Sequence, residues 1–334
     1  MKQMAKKLIN HPDEIIDDML VGILRMHGDV LRRCEDDPRA VVRTTLEPGK
    51  VGIVIGGGSG HEPAFIGYVG EGLADGVAVG NIFASPSPYP ILTAAKEVDQ
   101  GNGVLLIYGN YSGDNMNFSM AAELAEMDGH QVKELVVHDD VASAPKGEEH
   151  KRRGIAGEVF VYKVAGAKAR TGASLDEVYA TTEKANNWTR TIGIALEPCS
   201  LPQTGKPIFS IGPDEMEIGM GVHGEPGIHR VKLMSAEEVA NRLVEAICED
   251  FDYDGSDVAV LVNGLGATSL LELYILYDNM ADALAKRNIR IHRSFVGEYI
   301  TSQEMSGCSL TMMKLDEELK AMIDAPGKTC CFHF

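Results

Sequence analysis

The stretch Val51-Gly-Ile-Val-Ile-Gly-Gly-Gly-Ser-Gly-His-Glu-Pro63 runs a short apolar segment into four glycines, a serine and a histidine. Val51, Ile53, Val54 and Ile55 read as an inner strand of a parallel sheet, covered on both faces. Gly56, Gly57, Gly58 and Gly60 give the backbone access to positive φ and to close approach, and small ligands of open α/β sheets bind at such strand ends. The loop lacks the common nucleotide fingerprints. A Walker A loop closes on Gly-Lys-Ser/Thr where this chain has Gly60-His61-Glu62, and a dinucleotide pattern counted from Gly56 and Gly58 needs a small residue where His61 stands. A tight strand-to-helix turn with His61 as a surface cap is the plain alternative.

Outward from this stretch the text alternates. A helix is predicted from Pro12 to about Met26, then an irregular Arg- and Asp-rich stretch. Strands are predicted at 51–55, 77–84, 103–108 and 131–138, with helices at 89–98 and 115–127 between them. This βαβ rhythm implies a three-layer α/β/α domain with a mainly parallel sheet. The charged stretch 139–154 reads as a long loop, and helices follow at 158–170 and 174–190. Beyond Ile192 the text is richer in strands, at 192–196, 207–211, 215–223, 258–263, 289–296 and 309–315, with helices at 236–248 and 268–286. The fold class is therefore α/β in two domains: residues 1–190 carrying the Gly-rich loop and Asp114, and residues 191–334, an α/β domain with a mixed sheet, carrying His223.

Composition excludes several classes of partner. Lys plus Arg total 31 against 49 Asp plus Glu, a net charge of −18, which disfavours nucleic acid or an anionic membrane. No apolar run reaches the length of a membrane span, and the basic start is not followed by a signal-peptide core, so a cytoplasmic location is expected. Six scattered cysteines without a CxxC pair read as reduced thiols.

Two further polar groups stand at expected strand ends. In Leu105-Leu-Ile-Tyr-Gly-Asn-Tyr-Ser-Gly-Asp114 a buried strand turns through Gly109 to an aspartate that opens an apolar helix. Asp114 reads either as an N-cap or as a carboxylate able to take a proton from a substrate hydroxyl. In Glu215-Met-Glu-Ile-Gly-Met-Gly-Val-His-Gly-Glu-Pro-Gly227, strand alternation puts Glu217, Gly219, Gly221 and His223 on one face. The glycines then leave room beside His223 for a ligand or another backbone. His61, Glu62, His223, Glu225 and His229 are metal-ligand types, but they lack HExxH or paired-cluster spacing, and no metal site is expected.

Gly56-Gly-Gly-Ser-Gly-His-Glu-Pro63, Asn110-Tyr-Ser-Gly-Asp114 with Asn117-Phe118, and Gly221-Val-His-Gly-Glu-Pro-Gly227 together resemble the dihydroxyacetone kinase family, in its ketose-binding K subunit. The likeness extends through Arg153–Gly157, Lys163–Ala167, Asn263–Gly266 and Met305–Thr311. The resemblance implies a two-domain α/β homodimer in which Nε2 of His223 bonds the ketone carbon of a short sugar as a hemiaminal. It implies that Gly58, Ser59, Gly60, His61 and Gly109 hold the substrate, and that Asp114, with His61 beside it, takes the proton of the terminal hydroxyl. Nucleotide is expected on a separate L subunit, as ATP or as an ADP recharged by a phosphotransferase-system M protein, with Mg, and none on this chain. The family's dihydroxyacetone enzymes commonly carry lysine where this chain has Gly109. That loss implies freed volume and a four-carbon ketose such as erythrulose as an alternative substrate to dihydroxyacetone. A ketose-sensing transcriptional coactivator without kinase activity is the other reading.

Overall fold

The computed structural model describes residues 6–334. In chain order its elements are α1 (Ile15–Met26), β1 (Leu31–Arg33), β2 (Ala40–Arg43), β3 (Gly52–Ser59), β4 (Gly70–Glu71), β5 (Gly76–Ile82), α2 (Pro88–Val98), β6 (Val104–Gly109), α3 (Ser112–Met127) and β7 (Val132–Val137). Then come α4 (Glu158–Ala169), α5 (Leu175–Asn187), β8 (Thr189–Glu197), β9 (Glu215–Ile218), β10 (His229–Lys232), α6 (Ala236–Asp250) and β11 (Asp257–Gly264). The chain finishes with α7 (Leu270–Lys286), β12 (Arg290–Glu298), β13 (Ser306–Leu315), α8 (Glu317–Asp324) and β14 (Lys328–Thr329). Among the described residues no helix is long and apolar enough to cross a membrane.

The chain forms two compact units, each discontinuous in sequence. One contains Asp13–Val137, Glu158–Asn186 and Glu318–Phe334; the other contains the described residues up to Pro12, His138–Gly157 and Asn187–Glu317. The expected boundary at 190 lies close to the Asn187 junction. The excursion of 138–157 contains the charged stretch read as a loop, whose composition did not say which unit it joins, and the return after Glu317 had no mark in composition.

In the first unit the sheet order is β1-β2-β5-β3-β6-β7. Strands β5, β3, β6 and β7 are parallel, as the βαβ rhythm predicted, and β1 and β2 add an antiparallel hairpin at one edge. That hairpin is the stretch read as irregular, where charged residues mask a short edge pair in which Leu31, Val41 and Val42 are buried. Alternation along β6 sorts its two faces. Tyr108 stacks on Phe118 of α3 with ring centroids 4.3 Å apart, whereas a Cβ on Gly109 would point at the Glu158 carboxylate of α4. Val54, Ile91, Ala94, Val98, Leu106 and Phe118 form the core on the α2–α3 side. Helix α4 is buried almost throughout, and this two-sided cover is why β3 and β6 need no polar face.

In the second unit the sheet order is β10-β9-β8-β13-β11-β12. Only β11 and β12 pair in parallel; the other neighbours are antiparallel, so the sheet is mixed. Ser235 and Ser269 open α6 and α7 with complete capping boxes to Glu238 and Glu272. Ile247, Val260, Met280 and Leu310 lie in the core that these helices form on the sheet.

Several expected spans differ. The run 207–211 makes an isolated bridge, Ser200 to Pro207, and no strand, since Pro207 has no N–H to donate to a ladder. The predicted helix over 174–190 stops at Asn187 because Thr189 already enters β8. The strand predicted over 215–223 stops at Ile218, where Gly219 takes a φ of +81°. The next residues form a hairpin loop that closes when the Ile228 N–H donates to the Ile218 carbonyl at 2.8 Å.

Candidate functional site

Sequence reading marked residues in both units, and each group is built locally. In the first unit β3 continues through its glycines to Ser59 instead of ending at Ile55. Most of the glycines admit protein. A Cβ at position 56 would lie 2.5 Å from the Ala78 carbonyl, at 57 it would lie 2.3 Å from the Phe65 ring, and at 58 it would lie 2.6 Å from the Ala84 nitrogen. Their role is close packing of neighbouring backbone and Phe65. Among residues 56–60 only Gly60 needs positive φ, at +100°, and its N–H donates to Oε2 of Glu62 at 2.9 Å. The Ser59 hydroxyl donates to the Gly80 carbonyl at 2.8 Å.

His61 is not a surface cap. It is 2 % exposed, stacked on Phe83 at a centroid distance of 4.9 Å and met edge-on by Phe65 at 6.5 Å. Phe83 holds a φ of +54° in the segment after β5, a conformation rare for a bulky residue and an indication that this turn is fixed by its contacts.

Strand β6 pairs with β3 and ends at Gly109, so Gly58, Ser59, Gly60, His61, Gly109 and Asp114 all lie at or just after the carboxyl ends of adjacent parallel strands. Asp114 is not the N-cap. Helix α3 starts at Ser112, placing Asp114 in its first turn, where the helix N-terminus favours a carboxylate. The turn before it is pinned by Asn115 Nδ2 donating to Asn110 Oδ1 at 2.9 Å and by Asn117 Nδ2 donating to the Pro86 carbonyl at 2.8 Å. At Gly109 a Cβ would come within 2.5 Å of Glu158 Oε1. The expected freed volume is thus taken by a buried carboxylate, which accepts a short hydrogen bond from the Tyr162 hydroxyl. Burial first, then the Glu158 charge, raises the Tyr162 hydroxyl well above the ordinary phenol range, so it remains a donor.

In the second unit His223 sits in the β9–β10 hairpin loop. The Gly224 N–H donates to the Gly221 carbonyl at 3.0 Å, closing a four-residue turn with His223 near its tip, and Gly224 takes a φ of +82°. Glu225 folds back on that turn. Its Oε2 accepts the His223 backbone N–H at 2.9 Å, and its Oε1 lies 3.0 Å from His223 Nδ1. Burial raises Glu225, but the hydrogen bond and charge of His223, with Arg153, outweigh it and lower the carboxyl to about 2. An ionised carboxylate only accepts, so Nδ1 carries a proton, and in the neutral form of the ring the lone pair is on Nε2.

The expected open face beside His223 is closed. A Cβ on Gly219 would lie 2.5 Å from Ala142, and one on Gly221 would lie 2.2 Å from Glu225 Oε2 and 2.4 Å from Arg153 Nη1. Gly219 admits the Ala142 methyl and Gly221 admits a carboxylate and a guanidinium, a use invisible to a strand-alternation argument because these residues are not in a strand. Glu225 entered the sequence reading only as a possible metal ligand. The signal for its actual place was the His-Gly-Glu spacing, with a glycine that lets the chain reverse. His229 lies apart from this arrangement, exposed on β10 opposite Ile218.

Residues 21–331 match the Dak1 domain family. The chain is 45% identical over 314 residues to the dihydroxyacetone-binding subunit DhaK of PTS-dependent dihydroxyacetone kinase 1 from Listeria innocua, covering 94% of this chain and 95% of the relative. It is 45% identical over 325 residues to the D-erythrulose kinase of Mycolicibacterium smegmatis, covering 97% of this chain and 56% of that protein. The crystal structure of the dihydroxyacetone kinase of C. freundii superposes with a TM-score of 0.90 at 34% identity, over 98% of this chain and 60% of the other.

Proposed function

This chain belongs to the Dak1 domain family, and on that premise we propose that it is the ketose-binding subunit of a dihydroxyacetone-type kinase. The observation that carries the reading is the His223–Glu225 pair, an imidazole held by an ionised carboxylate with its lone pair on Nε2. Nε2 adds to the ketone carbon, the carbonyl π pair moves to oxygen, and that oxygen takes a proton. The positive charge that builds on the ring is balanced by the Glu225 carboxylate, to which Nδ1–H goes on donating. Loss of the Nδ1 proton to solvent matches the proton that the ketose oxygen takes from solvent, leaving the neutral hemiaminal. Glycerol has no carbonyl and is rejected at this step.

Asp114 accepts the proton of the ketose terminal hydroxyl as that oxygen attacks phosphorus. His61, held between Phe83 and Phe65, shares that acid–base task, and Ser59, Gly60 and Gly109 border the sugar. The phosphoryl group comes from nucleotide and Mg on a separate L-type subunit, as exchangeable ATP or as ADP recharged through a phosphotransferase-system M protein. The working assembly contains a homodimer of this chain.

The D-erythrulose kinase match, equal in identity to that of the dihydroxyacetone-binding subunit, supports a four-carbon ketose as a second reading. Glu158 beneath Gly109 changes its physical basis, because position 109 offers a carboxylate neighbour and not an empty space. Reconstitution with an L-type subunit, with ATP or a phosphotransferase donor, and with dihydroxyacetone and erythrulose in parallel tests the proposal. Phosphorylation of either ketose dependent on both proteins supports a kinase subunit, and the faster ketose identifies the substrate. Ketose binding with no transfer under either donor favours the coactivator reading.

A further inference from the structure

Glu225 is itself held. The Arg153 guanidinium lies between two carboxylates, with Nε and Nη2 donating to Asp140 Oδ2 at 2.9 and 2.8 Å and Nη1 3.8 Å from Glu225 Oε2. Nη2 also donates to the Gly219 carbonyl at 3.1 Å, so the same side chain fastens the start of the loop that carries His223. Asp140 is 1 % exposed, and its Oδ1 accepts the Ala142 N–H at 3.0 Å. The Arg153 backbone is tied in turn: its N–H donates to the Ser143 hydroxyl at 2.9 Å and its carbonyl accepts the Asp140 N–H at 3.2 Å. Every member of this chain of contacts lies in one unit.

We propose that Arg153, anchored by Asp140, is a positioning residue for covalent ketose capture, holding Glu225 in the rotamer that fixes the Nδ1–H tautomer of His223. The inference rests on His223 being the group that bonds the ketose. A glutamate has three rotatable side-chain bonds, and on a glycine-flanked turn it would sample several rotamers. The guanidinium selects one of them. Its charge adds to the larger effect of the His223 hydrogen bond and charge, and together they outweigh burial and keep Glu225 ionised. The carboxylate therefore only accepts, and a neutral His223 ring keeps its proton on Nδ1 and its lone pair on Nε2 until the ketone is attacked. Gly221 belongs to the same device, since any side chain there would enter the space between carboxylate and guanidinium.

The test uses the full chain as Arg153→Met and Arg153→Lys, with two readouts: the rate of adduct formation with dihydroxyacetone by intact mass, and the tautomer of the His223 ring by its nitrogen chemical shifts. Arg153→Met is expected to slow adduct formation about tenfold to a hundredfold, the worth of its charge-assisted hydrogen bond to the Gly219 carbonyl lost together with the ion pair to Glu225, and to give a mixture of Nδ1–H and Nε2–H rings. Arg153→Lys keeps the charge but cannot span both carboxylates, so its rate falls between. Parental rates with a wholly Nδ1–H ring in the folded variants overturn the proposal. Should Arg153→Met fail to fold, Arg153→Lys alone decides on the same two readouts. An adduct absent from the parent protein would defeat the role of His223, while the tautomer would still report whether Arg153 sets the ring.

Discussion

Nδ1 of His223 and Oε1 of Glu225 stand 3.0 Å apart, and the other oxygen of the same carboxylate takes the His223 backbone N–H at 2.9 Å. One side chain thereby fixes both the ring and the turn that presents it. A nucleophilic imidazole needs this orienting partner because, unassisted, it divides its proton between two nitrogens and its ring between rotamers.

Gly221→Ala tests how tightly that pairing is built. The added methyl would lie 2.2 Å from Glu225 Oε2, so the carboxylate must leave its position. Overpacking of this kind costs about 1–3 kcal/mol, and ketose adduct formation should fall roughly tenfold or more, as expected for a lost charge-assisted bond. An alanine variant that captures ketose as fast as the parent would show that the carboxylate position is unimportant.

The low titration of Glu225 has a signed consequence for stability. Its carboxyl lies at about 2 in the folded chain against an ordinary 4.5, so its contribution is fully present above the ordinary value and is lost as pH falls through about 2. The difference in thermal unfolding midpoint between the parent and Glu225→Gln should hold steady above pH 4.5 and shrink toward pH 2. A difference that stays flat over that whole interval would contradict the assignment.

Asp114→Asn separates capture from transfer. The variant should form the ketose adduct normally yet lose phosphoryl transfer by about 10²–10⁴-fold, the usual worth of a general base, in an assay with an L-type subunit. Unchanged turnover would remove Asp114 from the reaction.

Away from the chemistry, Asp250 accepts from Arg152 at 2.6 and 2.9 Å and from Arg190 at 2.6 Å, and Arg152 is fully buried. Asp250→Ala takes from two buried guanidinium groups the carboxylate they share, leaving them carbonyl partners, and should lower unfolding free energy by about 3–5 kcal/mol, read from denaturant midpoints. A loss below about 1 kcal/mol would mean that water reaches these groups.

The parallel strands were legible because β3 and β6, buried on both faces, are spelled as continuous apolar runs, and the helices between them keep their period. Strand β1 was not legible, since Arg32, Arg33 and their charged neighbours look like loop text although the pair lies at a sheet edge. Residues of the candidate site could be named from local glycine, histidine and aspartate patterns, but their surroundings could not. Ala142, Arg153 and Glu158 meet Gly219, Gly221 and Gly109 only through the folded chain, from positions 49 to 77 residues away. The same long-range closure explains why room inferred beside His223 and at Gly109 proved to be occupied.

The central claim is a covalent bond between His223 and a ketose, and intact-mass measurement on the protein incubated with dihydroxyacetone tests it most directly. The account predicts a mass increase of one whole ketose, with no water lost, that is absent with glycerol and absent in His223→Ala. No mass increase in the parent, or the same increase in His223→Ala, would contradict it.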